Sequence, residues 1–210
     1  MVENNTADNP YSAEDRLCAH FWAQLNQQRF AEISVEQLAA EADISLSEAY
    51  LVASDSAHLA LVALNRLDHI ALSESAADFA DAGDAPIYDK ILEGLIHRFE
   101  IFAPYRKAMQ HLHEACLRSP HLALMAATQL SETVDKLMSL AGDSSTGFSR
   151  TLRRKGLGAV ILRARSVWQK DETEDLSQTL KALDNYLREA QEWAVSLRVL
   201  NADETSQAER

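Results

Sequence analysis

The chain contains no run of eighteen consecutive apolar residues, which excludes a transmembrane helix. Its opening stretch, MVENNTADNPYS, has neither a basic segment nor an apolar one, so a secretory leader is not expected. Cysteine is scarce. Cys18 and Cys116 stand far apart in helical contexts, which argues against a disulfide framework and for buried, reduced thiols in a cytoplasmic protein. Only 6 glycines and 4 prolines punctuate 210 residues, and β-branched runs are few. Strands and tight hairpins need such residues, so the composition, rich in Ala, Leu, Glu and Gln, predicts an all-α protein. No phosphate-binding glycine loop, Walker sequence or Gly-x-Ser-x-Gly elbow occurs. No carboxylate pair stands out as catalytic, so an enzyme is the weakest of three readings. No catalytic residue and no cofactor is assigned.

The scarcity with most consequence is cationic. Residues 1–85 hold 3 basic and 15 acidic side chains, whereas residues 86–210 hold 17 of each. The whole formal charge of -12 therefore arises in the first part of the chain. Basic charge is the usual electrostatic footprint of a nucleic-acid surface, and here that footprint is inverted.

What is present is helical periodicity. Ser12 with Asp15 predicts a capped first helix whose inner face is Leu17, Phe21, Trp22 and Leu25. Ser34 with Gln37 opens a second, short helix with Val35, Leu38, Ala39 and Ala42 inward. A turn at Asp43-Ile44 follows, and Ser45 with Glu48 opens a third helix. A fourth, long helix starts at Ser54 or Asp55 and turns Leu59, Val62, Leu67 and Ile70 inward. DAGDAP, residues 81–86, breaks the pattern. Beyond it the spacing predicts helices over 87–102 (Ile91, Leu95, Phe99 and Phe102 inward), from Pro104 to about 117, over 120–140, over 148–169 and over 173–197, about nine in all. The tail NADETSQAER reads as frayed. Residues 1–75 are taken as a helix-turn-helix head that includes the start of the connecting helix, and residues 76–210 as a larger body.

Several local clusters each allow two readings. Arg150, Arg153, Arg154 and Lys155 form the one basic cluster; it suits an anionic lipid surface or the acidic head, and intrachain pairing on a solvated face is favoured. In HLHEACLRSPH, His113 and Cys116 are one helical turn apart, but the spacing lacks any established zinc pattern and no metal ligand is assigned. Gly156 and Gly158 suggest close helix packing. An apolar ligand pocket, if the body holds one, would draw its walls from Phe99, Phe102, Tyr105, Met109, Leu112 and Met125, with His113 orienting the ligand.

The stretch from Phe30 to Leu64, FAEISVEQLAAEADISLSEAYLVASDSAHLALVAL, resembles the DNA-binding head of TetR-type regulators. Ile33 and Val35 fall at that family's entry to helix two, Leu38-Ala39 on its Ile-Ala pair, Ala42, Ile44 and Ser45 on its turn, and Tyr50 on its helix-three tyrosine. The resemblance implies a homodimer through the last two helices, a small-molecule pocket in the body, and DNA contacts from Ser34, Ser45, Ser47, Tyr50 and His58. It departs at Asp43, where the family has Gly, at Val52-Ala53, which replace an aromatic region, and at Ser56-Ala57, where a phosphate-contacting Lys is expected. From Ala31 to Asn65 there is no basic residue. A dimer seam along the last two helices would use Leu157, Trp168, Leu183 and Leu187.

A second stretch, VWQKDETEDLSQTLKALDNYLREAQEW from Val167 to Trp193, is similar to the C-terminal part of the COQ9 family through Trp168, Asp171, Asp175, Thr179 and Leu183-Asp184. FAPYRKAMQHL resembles bacterial members of mixed character. That family shares the TetR fold, and the likeness implies binding of lipid-like isoprenoids in support of ubiquinone biosynthesis, without a DNA role. Its additional amphipathic membrane helix has no counterpart in SLRVLNADETSQAER. Two functions follow as expectations. The first is a ligand-responsive transcription regulator acting as a dimer on DNA. The alternative is a lipid-binding accessory protein whose acidic head never meets DNA.

Overall fold

A computed structural model of the chain describes residues 12–196. Among them there are nine α-helices and no strand. The polar leader and the tail discussed above lie outside the described residues. The helices are α1 (Ala13–Leu25), α2 (Val35–Glu41), α3 (Leu46–Val52), α4 (Ser56–Asp81), α5 (Ile87–Phe102), α6 (Arg106–Arg118), α7 (Pro120–Leu140), α8 (Gly147–Trp168) and α9 (Ser177–Ser196). Single 3-10 turns precede α2 and α6. None of the described helices is long and apolar enough to cross a membrane.

The chain divides into two compact units. One comprises Met1–Leu64 and Lys107–Ala123, the other Asn65–Arg106 and Leu124–Arg210. Both α4 and α7 therefore contribute to each unit.

The first unit is built on two reciprocal caps. Ser12 and Asp15 close the capping box of α1, and Ser45 and Glu48 that of α3, each satisfying two otherwise orphaned backbone N–H groups. The α1 face predicted to be inward is inward: Leu17, Phe21, Trp22 and Leu25 are all buried, and Phe21 meets the Trp22 and Phe30 rings edge-on. Val35, Leu38, Ala39 and Ala42 complete this core with Ala49. At the turn between α2 and α3, Asp43 adopts φ 51°, the left-handed region that favours glycine. One Arg16 amino group donates to the carbonyls of both Ala42 and Asp43 at 2.9 Å and holds that turn shut. Farther along the chain, the Asn26 side chain caps α6 by accepting from Ala108 N–H at 3.0 Å, and His111 Nδ1 lies 2.7 Å from the Leu25 carbonyl. Cys18 is buried as expected, Cys116 is only half-buried, and neither forms a disulfide.

The second unit packs α8 against α9, with α5 alongside α9. Its α5 stripe, Ile91, Leu95, Phe99 and Phe102, is buried. Ile70 of α4, expected inward, is 38% exposed, because Leu67 and Ala71 take the buried side of that turn. Two polar clusters hold the interior. Arg98 Nε donates to Asp68 Oδ1 at 2.7 Å while Thr133 donates to Asp68 Oδ2 at 2.8 Å, and the same guanidinium lies over the Phe102 ring. At the α8–α9 corner, Trp168 is buried and donates its indole N–H to the Phe99 carbonyl at 3.1 Å. The Arg106 guanidinium covers the Trp168 ring and donates to the Asp171 carbonyl.

Asp171 explains why α9 begins at Ser177 rather than at Thr173. Its carboxylate accepts from the N–H and hydroxyl of Thr173 and from the N–H and hydroxyl of Thr179. Those four bonds wind residues 171–176 into a loop and cap the first turn of α9 from outside it. Burial works to raise the pKa of Asp171, yet the four donors outweigh it and bring it down to about 2.

Candidate functional site

Two surfaces bear on function: the outward face of the head and a groove in the second unit. The geometry of the head decides whether phosphate can be gripped.

In α3, the outward residues are Leu46, Ser47, Glu48, Tyr50 and Leu51, and Leu51 is 87% exposed. No cation stands among them. The five residues expected to donate to DNA already have partners within the head. Ser34 accepts from Gln37 N–H and also bonds to Glu36. Ser45 donates to Glu48 at 2.6 Å, and Ser47 sits 3.0 Å from Ser45. The Tyr50 hydroxyl donates to the Glu36 carboxylate, and His58 Nδ1 faces Ser54. Ser56, near the position where a phosphate-contacting lysine was expected, donates to the Ile33 carbonyl at 2.7 Å.

These bonds also fix the charge. Tyr50 beside Glu36, Gln37 beside Glu41, Ser45 beside Glu48, and the His58 N–H beside Asp55 each hold the carboxyl below the usual carboxylate range. These four carboxylates are therefore ionised at neutral pH, and a face without cations has nothing to displace counterions from phosphate.

The groove runs along α8 and α9, with the start of α5 contributing to its wall, and encloses about 390 Å³. Its floor is apolar: Ile87 and Ile91 from α5, Leu157 and Val160 from α8, and Leu187 and Trp193 from α9. Small residues make the space. Gly156, Ala159, Ala190 and Ala194 all line it. Gly156 was expected to permit close helix packing together with Gly158, but a Cβ at either position would meet nothing within 4 Å. Gly156 leaves volume for the groove instead of admitting another helix.

The charged groups at the groove are paired. Arg163 donates to Glu189 at 2.6 Å and lies over the Tyr186 ring. Arg153 meets Asp143 at 2.9 Å. Tyr88 donates to Asp184 at 2.8 Å; burial first, and then the Asp184 carboxylate, push the phenol above its ordinary range. Each of these cations thus faces a carboxylate, so the polar rim is near neutral. Two members of the basic cluster read from the sequence have the same fate: Arg150 is spent on Asp135 and Ser139, and Arg153 on Asp143.

The residues named for a pocket do not line this groove. Phe99, Phe102, Tyr105 and Met125 belong to the second unit, and Met109, Leu112 and His113 to the first. Phe99, Phe102 and Leu112 are buried. The four proposed seam residues, Leu157, Trp168, Leu183 and Leu187, are buried within the single chain, with Trp168 and Leu183 essentially inaccessible. They form the chain's own core, because the α8–α9 pair needs an apolar interior before any partner arrives. The groove itself was missed in the sequence, although alanines at helical spacing beside the solvent-facing Trp193 are its signal.

With this geometry in place, comparison with known proteins assigns the class. The chain has the TetR fold: it superposes on the crystal structure of the TetR transcriptional regulator from Nitrosomonas europaea ATCC 19718 with a TM-score of 0.68 and 18% identity, covering 86% of this chain and 99% of that one. Within that fold, the profile of the COQ9 family matches residues 123–194, so the C-terminal region is COQ9-like. The match spans α8 and most of α7 and α9, and includes the Trp168–Asp171–Thr179 corner and two walls of the groove. No protein of curated function matches the chain.

Proposed function

We propose that this protein is a TetR-fold binder of an apolar, lipid-like molecule, held in the α5–α8–α9 groove, and that its head does not bind DNA. The observation that carries this reading is the head: its outward helix has no cation, its hydrogen-bond donors are spent internally, and its carboxylates stay ionised. The COQ9-like stretch supports the ligand class, because it supplies two walls of an apolar groove of ligand size. The paired rim favours a neutral molecule with a small polar head over a fatty acid, since a free carboxylate would find no unpaired cation there.

The test uses decylubiquinone as a neutral isoprenoid-quinone mimic and palmitate as the anionic control. Uptake of the quinone, weak uptake of palmitate, and loss of uptake in Ala190→Trp are expected. A duplex-binding assay across a salt series runs beside it and is expected to show no retention even at low salt. Retention of duplex DNA with indifference to the quinone would restore the regulator reading.

A homodimer through the outer faces of α8 and α9 belongs to the same proposal. Phe148, Leu162 and Leu180 are large, apolar and exposed on these two helices of the single chain.

A further inference from the structure

Away from the groove, α4 and α5 bring together three side chains with metal-ligating chemistry. Asp78 stands in the last turn of α4, and Glu93 and His97 are one turn apart on α5. One ligand atom from each lies within 4.8 Å of the others, and His97 Nε2 is 3.4 Å from Asp78 Oδ2. Metal–ligand bonds of about 2.0–2.1 Å in a tetrahedron place neighbouring ligand atoms roughly 3.3–3.4 Å apart, so this pair already has the spacing of two ligands on one ion.

The orientation of the imidazole carries the inference. Ser75 is fully buried and donates its hydroxyl to the Ala71 carbonyl at 2.8 Å. Its proton is thereby committed, so at 3.3 Å the oxygen accepts from His97 Nδ1–H. The same orientation turns His97 Nε2 toward the Asp78 carboxylate, with Glu93 beside them. A histidine whose second nitrogen is fixed by a buried partner is the usual outer support of a metal ligand. Close approach of the helices makes it feasible: a Cβ on Gly94 would lie 3.3 Å from Ser75 Oγ and 3.3 Å from Phe79.

We infer that Asp78, Glu93 and His97 form a binding site for a divalent transition-metal ion of the zinc type. One nitrogen with two carboxylate oxygens suits zinc or cobalt, and an imidazole is a poor ligand for calcium or magnesium. Three protein ligands leave the fourth position to water. The ion clamps the end of α4 to the middle of α5. The site lies apart from the groove and shares no residue with it.

The experiment titrates chelator-treated full-length protein with Co2+, reading the visible absorption of the ion, followed by displacement with Zn2+. One equivalent is expected to bind with the intense spectrum of a four-coordinate site. Asp78→Asn, at a half-exposed position, and His97→Gln should each weaken binding at least tenfold. Ser75→Ala should weaken it about 10- to 100-fold, because it touches only the outer support of the histidine. His113→Gln should leave binding unchanged. Circular dichroism identifies any variant that fails to fold, and Asp78→Asn then carries the decision. Absence of stoichiometric binding in the wild type, or equal binding in Asp78→Asn, overturns the site.

Discussion

At the scale of single residues, Asp43 and Asp171 show a carboxylate used in opposite ways. Asp43 occupies a left-handed turn, a conformation that costs a non-glycine residue about 1–2 kcal/mol, and the Arg16 clasp on its own and its neighbour's carbonyl, with the Ile44 N–H bonded to the Ala39 carbonyl at 3.1 Å, offsets that cost. Asp43→Gly relieves the strain while adding chain entropy to the unfolded state. A net gain of roughly 0.5–1 kcal/mol is expected in urea melts, and an unchanged or lower midpoint would count against the strain. Asp171 is instead stabilised by its surroundings. Its folded-state value of about 2 lies below the ordinary 3.8, so the ionised form is favoured by folding. The stabilisation is complete above about pH 4 and is lost as pH falls from 3.8 toward 2. At 1.36 kcal/mol per pKa unit it amounts to about 2 kcal/mol. Asp171→Asn should remove most of that at neutral pH and flatten the acid limb of the stability curve between pH 4 and 2, as followed by circular dichroism.

At the scale of elements, the contact of α5 with its neighbours turns on Gly94. A Cβ there would come within 2.4 Å of Leu137 Cδ1 and 3.3 Å of both Phe79 and Ser75. Alanine gains about 1 kcal/mol in helix propensity, but overpacking a buried contact costs about 1–3 kcal/mol. Gly94→Ala is therefore expected to lower the melting temperature, whereas Gly156→Ala, with open space around it, should raise it slightly. Comparing the two melts isolates the packing effect from propensity. Such contrasts also show what could be read from sequence. Helix α5 and helix α7 begin and end where spacing and the flanking Pro86 and Pro120 place them, because both signals are local. The late start of α9 was illegible, since it depends on four hydrogen bonds to a carboxylate in the loop before it. Gly156 and Gly94 look alike in the sequence, yet one lines a groove and the other a tight helix contact. Trp168 and Asp171 were recognised as features of a family; the structure shows that they build a corner. The groove and the Asp78–Glu93–His97 cluster were missed because each joins residues from separate helices.

At the scale of the whole molecule, two surfaces remain for partners. One is the set of exposed apolar side chains on α8 and α9. Leu162 is 61% exposed, so Leu162→Glu leaves the interior of the chain intact. Light scattering should give the mass of two chains for the wild type and of one for this variant. A monomeric wild type would remove the dimer without touching the groove. The other surface is the head, where charge rather than shape departs from the regulators of this fold.

That charge has a kinetic consequence. Diffusional encounter between macromolecules is governed by the field each projects before contact. Wherever nucleic acid is abundant, basic proteins of this shape spend most of their time sliding and hopping on it. A head with Glu36, Glu41, Glu48 and Asp55 held in the ionised state, and no lysine or arginine in α2 or α3, projects the opposite field out to about the Debye length, roughly 8–10 Å. On the proposed reading the protein does not join that bound pool, and its arrival at a partner is not taxed by a search along DNA.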